Sequence, residues 1–157
     1  MPEIIQSITE IETTRPAEWS NTDYENSYGG YRITTDEQEI NLLISNDQSC
    51  CEKWGYFFCN EEVDEFVGAE LHSISLTDTA LHTETFWEKA PKATSYNYEN
   101  KVRVPREFGA DAFEQLMFVN LETDRGTLQF VAYNDHNGYY GHQARVESKQ
   151  LTHTESL

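Results

Sequence analysis

Beyond residue 30 the chain alternates short apolar or β-branched runs with polar turns. Residues 31–34 and 39–45 are two such runs, separated by Thr35-Asp36-Glu37, and each predicts a strand. Residues 54–58 form a third, rich in aromatics. After Gly68, residues 69–76 alternate Leu71, Ser73 and Ser75 with His72, Ile74 and Leu76, the period of two expected of a strand. The clearest pair is 115–122 with 127–133, which flank Thr123-Asp124-Arg125-Gly126. That tetrapeptide supplies a turn with a glycine where positive φ is needed, so a hairpin is predicted. Residues 139–146 predict one further strand after Asn137-Gly138.

Helical spacing is sparse. Ile4, Ile8 and Ile11 predict an amphipathic helix over 3–13, ended by Thr13, Thr14 and Pro16. Residues 60–66 predict a turn or two of helix, capped by Asn60 and acidic at its start, where the helix dipole favours negative charge. Residues 21–30, rich in Asn, Ser, Tyr and Gly, read as loop, and the last ten as a loose polar tail. Six or seven strands against two short helices predict an α+β fold, a mainly antiparallel sheet in a single compact domain. The expected layout is a helix and loop extension over 1–30, a core over 31–146 and a C-terminal tail over 147–157. Adjacent hairpins argue against the alternating units of a dinucleotide-binding sheet.

Composition narrows the function. With 157 residues, one domain is expected, and 38% hydrophobic and 13% aromatic content is enough for a core. Acidic residues outnumber basic ones 28 to 11, a net charge of −17. A surface this negative repels phosphate backbones and anionic lipid headgroups, so direct nucleic-acid and membrane partners are disfavoured. No apolar run approaches the ~20 residues of a membrane-spanning helix, and Met1-Pro2-Glu3 lacks the features of a signal peptide. The three cysteines, Cys50, Cys51 and Cys59, include an adjacent pair that closes a disulfide only under strain. A stapled secreted scaffold is therefore disfavoured and a cytoplasmic location expected.

Three segments could carry chemistry. Residues 133–142 read Tyr-Asn-Asp-His-Asn-Gly-Tyr-Tyr-Gly-His, which combines donors, acceptors and flat apolar faces as a pocket wall does. The competing reading is a hairpin turn at Asn137-Gly138 flanked by strand tyrosines. A second segment inverts the charge: Lys89, Lys92, Lys101, Arg103 and Arg106 face only Glu99, and Tyr96, Asn97 and Tyr98 interrupt them. Bounded by Pro91 and Pro105, this reads as a long loop. Arginine pairs with phosphate and tyrosine stacks on a base, so a small nucleotide-like ligand suits it. A solvated loop that offsets the acidic surface is the plainer alternative. The third segment is acidic. Asp36, Glu37 and Glu39, with Glu61, Glu62, Asp64 and Glu65, either solubilise the surface or imitate a nucleic-acid backbone for a basic protein groove.

Metal and nucleophile readings are weaker. Zinc held by Cys50 or Cys51 with His136 and His142 matches no standard spacing, and adjacent cysteines on a strand point to opposite faces. A Cys51–His136 nucleophilic pair lacks any local motif. No cofactor is implied.

The segments Cys50-Cys51-Glu52-Lys53-Trp54-Gly55-Tyr56, Val67-Gly68-Ala69-Glu70-Leu71 and residues 133–142 together resemble a family of small uncharacterised phage and bacterial proteins, over roughly 31–146. The resemblance carries no catalytic residues. It implies a phage or prophage accessory protein acting in the host cytoplasm, where counter-defence is a common role.

The leading expectation is a non-enzymatic protein that sequesters a small nucleotide-derived ligand. Arg103 and Arg106 would hold phosphates, Tyr96 or Tyr98 would stack, and His136, Asn137, Tyr139, Tyr140 and His142 would complete one pocket, or pockets shared across a dimer interface. The rival is an acidic inhibitor that binds a basic host protein through 36–39 and 61–65. A third expectation is a metal- or cysteine-dependent hydrolase using His136 and His142 near Cys51 or Asp135.

Overall fold

The first strand decides the architecture. In the computed structural model, which describes residues 2–16, 25–46, 53–89, 94–97, 102–105, 116–135 and 142–157, β1 runs over Glu3–Pro16. This corrects the helix expected there. Seven of the twelve residues 3–14 are isoleucine or threonine, and β-branched side chains favour a pleated, half-buried strand over a helix. Ile5 is fully buried.

β2 (Glu25–Thr35) pairs antiparallel with β1 along its length, so part of the expected 21–30 loop is strand. β3 (Glu39–Ser45) and β4 (Lys53–Phe58) follow, then β5 (Glu70–Thr77) and the helix α1 (Thr83–Lys89). β6 (Thr94–Asn97) and β7 (Val102–Pro105) pair as a separate hairpin inside the basic segment expected to be loop. β8 (Leu116–Thr123) and β9 (Gly126–Asp135) form the anticipated hairpin, with Gly126 at φ 110°. β10 (Gln143–Glu147) and β11 (Thr152–Ser156) are also paired, so the C-terminal segment is a strand rather than a loose tail, and Leu157 is buried. Among the described residues, helix is confined to α1 and a 3-10 turn at Val63–Phe66. The expected antiparallel sheet with short helical pieces is present, and its proportions make the fold mainly β rather than clearly α+β.

Nine strands form one antiparallel sheet in the order β11-β10-β3-β2-β1-β5-β8-β9-β4. β1 is its hinge: Glu3 and Ile4 pair with β5, whereas the rest of the strand pairs with β2. The halves on either side face each other. Tyr31 of β2 packs on Phe58 of β4, with centroids 4.5 Å apart, and edge-on to Tyr56 and Phe130. Trp54 stacks on His142, and Asn134 Nδ2 donates to the Leu157 carbonyl at 3.0 Å. Between the halves lies the main core, including Ile33, Leu42, Ile44 and Val146 against Val119, Leu121, Leu128 and Phe130. Each such side chain contributes about 1.5–3 kcal/mol on burial. On the other face of β4, β8 and β9, Phe57, Phe118 and Val131 form a second core closed by Phe86 of α1. Phe57 and Phe58, like Phe130 and Val131, therefore serve opposite cores, which is why these strands read as continuous apolar runs.

The β1–β2 hairpin is long enough to curl. Register places Glu147 in a row with Asn41, Arg32 and Thr9. Arg15 lies six residues beyond Thr9, about 20 Å at the rise of a strand. Its guanidinium nevertheless donates to Glu147 through Nη2 at 2.7 Å and Nε at 3.0 Å. Tyr28, fully buried in the curl, donates to Gln143 Oε1 at 2.9 Å, and Arg145 sits over its ring. The bond from Arg15 holds the Glu147 carboxyl below its ordinary range, although partial burial opposes this. A lowered folded-state value means stabilisation that is present above the unfolded value, ~4.3, and is lost as pH falls through the folded one. Glu147→Gln is therefore expected to cost about 1–2 kcal/mol at pH 7. Its urea midpoint should converge on the wild-type midpoint as pH drops below 4. A gap that persists undiminished in acid would show that charge is not what holds the curl.

Candidate functional site

The start of β1 brings two acidic segments to one end of the molecule. On one side, Asp36 Oδ1 accepts the Ile4 N–H at 2.9 Å, and the Asp36 N–H returns a bond to the Ile4 carbonyl at 3.2 Å. Thr35 Oγ1 accepts from Glu37 and Gln38 N–H and donates to Glu3, which closes the turn carrying Asp36, Glu37 and Glu39. On the other side, Ile5 bonds Gly68 and Ala69 through its backbone. Two strand spacings, about 10 Å, thus separate the Asp36 turn from the chain leaving the 3-10 turn. Glu39 is offset by Arg32 at 3.8 Å.

Arg125, from the β8–β9 turn, fixes the second segment. Its Nη1 donates to the carbonyls of Glu65 and Val67, at 2.7 and 3.0 Å, and its guanidinium packs against Gly68, whose φ is 94°. The turn is anchored by its backbone, so the carboxylates of Glu61, Glu62, Asp64 and Glu65 stay exposed. Asn60 does not cap this turn, as the sequence suggested; Glu62 takes that position without a capping bond from its side chain. Asn60 bonds β9 instead, accepting from the Gln129 N–H and donating to the Thr127 carbonyl.

Between this turn and the start of α1 lies an open cleft of about 810 Å³. Glu61, Glu62 and Glu65 line one wall and Leu81, His82, Glu84 and Thr85 the other, with Asn60 and Phe66 between them. Among the described residues, no lysine or arginine lines the cleft. Lys89, at the far end of α1, points its ammonium at the carbonyls of Phe58 and Asn60, at 2.7 and 2.6 Å. The Glu62 carboxyl is pushed above its ordinary range by its hydrogen bond to Glu65 and by that neighbour's like charge. Like charges this close to one another favour a cationic ligand between or beside them.

The residues expected to capture a nucleotide fare differently. Tyr96 and Arg103 are register partners in the β6–β7 hairpin. Tyr98, Arg106, His136, Asn137, Tyr139 and Tyr140 lie outside the described residues, as do Cys50 and Cys51. His142 is built into the wall between the sheet halves. It is 3% exposed, exchanges backbone bonds with Leu157, meets the Ser45 carbonyl through Nδ1 and stacks on Trp54. Cys59 is buried, its thiol directed at the His82 carbonyl. No group of three or more His, Cys, Asp or Glu side chains placed to hold a metal occurs among the described residues, and none of their helices is long and apolar enough to cross a membrane.

Sequence reasoning selected the glutamates of the 3-10 turn but missed the opposite wall. Leu81 and His82 precede, and Glu84 and Thr85 begin, a helix of two turns whose pattern is too short to read. It also missed Gln129, whose one visible signal was a polar residue inside the apolar run of β9.

Curled sheet, second core and acidic cleft together define a mainly-β protein whose described residues gather two acidic segments at one end. The chain belongs to the family of the domain of unknown function DUF7448, whose profile matches residues 3–146. Comparisons with curated proteins and with solved structures gave no match.

Proposed function

We propose that this protein is a binding module whose acidic end docks onto a basic surface of a partner protein, as a nucleic-acid backbone would. The observation that carries the reading is the cleft: among the described residues four glutamates and no lysine or arginine line it, and the Asp36–Glu39 turn lies at the same end. Such a surface attracts clustered lysine and arginine from a distance and discriminates against anions. The resemblance to phage and prophage accessory proteins adds a setting, in which the partner is part of a host defence complex and occupation of its basic groove is inhibitory.

Capture of a nucleotide-derived ligand is the second reading. It is favoured by the pairing of Tyr96 with Arg103, which unites a stacking group and a phosphate partner on one hairpin. Calorimetric titration with a short lysine- and arginine-rich peptide, and separately with a nucleoside triphosphate, distinguishes the two. The docking reading expects saturable peptide binding and no heat from the nucleotide. Saturable nucleotide binding with an inert peptide would overturn it in favour of capture.

A further inference from the structure

Resting on the docking reading, we infer that Gln129 is the positioning residue that holds the two walls of the acidic cleft at a fixed separation. It sits in β9 between Leu128 and Phe130, all three essentially inaccessible to solvent. An amide in such a run is costly unless every polar atom is bonded, and here every one is. Its backbone serves the first wall: the N–H donates to Asn60 Oδ1 at 2.9 Å, and the carbonyl accepts from the Cys59 N–H at 2.8 Å. Its side chain serves the second: Oε1 accepts from the Leu81 N–H at 2.8 Å, and Nε2 donates to the Thr79 carbonyl at 3.0 Å. Nε2 also bonds Asn120 Oδ1 on β8, at 2.8 Å, a contact outside both walls.

The walls need holding because they repel. Glu61, Glu62 and Glu65 face Glu84 across the cleft, with no lysine or arginine among the described lining residues. Unrestrained loops would spread, dilute the potential and have to be drawn together again when a cationic partner binds. A strut from the core fixes that arrangement beforehand, which is how a rigid site gains affinity without an added contact. Hydrophobic packing alone would be met by leucine or methionine at 129. Neither could bond Leu81 and Thr79.

Gln129→Met keeps the side-chain volume and removes every side-chain bond to the second wall. Affinity for a fluorescent lysine-rich peptide should fall about tenfold, roughly the loss of one net hydrogen bond's worth of preorganisation, at a temperature where the variant is fully folded. Asn120→Ala, which removes a bond to Gln129 but none to a wall, should bind within about twofold of wild type. Equal peptide affinity in folded Gln129→Met, or an equal loss in Asn120→Ala, would overturn the inference. Amide exchange in the wild-type protein tests it without a variant. The Leu81 N–H should be protected like the β9 core amides, and exchange at the rate of a solvated loop would also overturn it. Failure of the wild-type protein to bind the peptide would instead remove the docking reading, leaving Leu81 protection to decide the role of Gln129.

Discussion

Gly30→Ala is expected to destabilise the protein by on the order of 3 kcal/mol or more. The residue lies in β2 opposite Leu43 of β3 and Ile11 of β1, and a Cβ there would lie 1.8 Å from the Leu42 carbonyl oxygen and 2.9 Å from Leu43 Cα. Both obstacles are backbone, so no rotamer change relieves them. Either the β2–β3 ladder opens or the hairpin uncurls, and the latter also breaks the bonds from Arg15 to Glu147 and from Tyr28 to Gln143. Gly126→Ala is the control. Its φ is 110° but a Cβ there meets nothing within 4 Å, so it should cost only the left-handed penalty of about 1–2 kcal/mol. Urea unfolding of both variants checks the order, and a milder loss for Gly30→Ala than for Gly126→Ala would contradict the described curl.

Reversing two charges in the cleft should have the largest effect on binding. Glu62→Lys combined with Glu65→Lys is expected to weaken a lysine-rich peptide on the order of 100-fold, since close interfacial charge pairs couple strongly. The fold should tolerate it. Both side chains are exposed, and Arg125 holds the turn through carbonyls that the substitutions leave in place. Stability should change little, because the new lysines lie beside Glu61 and Asp64 in the same exposed turn. Lost binding together with an unchanged unfolding midpoint identifies a surface effect; retained binding places the peptide elsewhere.

Strands with a local signature were legible in the sequence. β3 matches its expected limits, and Asp124-Arg125-Gly126 marked the β8–β9 turn because turn geometry is written in adjacent residues. β1 was misread because Ile4, Ile8 and Ile11 satisfy helical spacing while the intervening isoleucine and threonine, which favour a strand, carry no phase of their own. β11 is polar on most of its length and exists because β10 offers it an edge, information absent from Thr152–Ser156 itself. The acidic end followed the same rule. Its residues were visible as charge runs, but their meeting depends on β1 running between two turns well separated in sequence, and the cleft depends on Gln129 bridging three separate segments.

Chemical-shift mapping of the lysine-rich peptide onto the wild-type protein tests the central claim most directly. The acidic-end account predicts saturable perturbations at the amides of 60–66, 81–85 and 36–39, which shrink as salt is raised because the attraction is between solvent-exposed charges. Perturbations confined to the β6–β7 hairpin, or the absence of any at low salt, would contradict it.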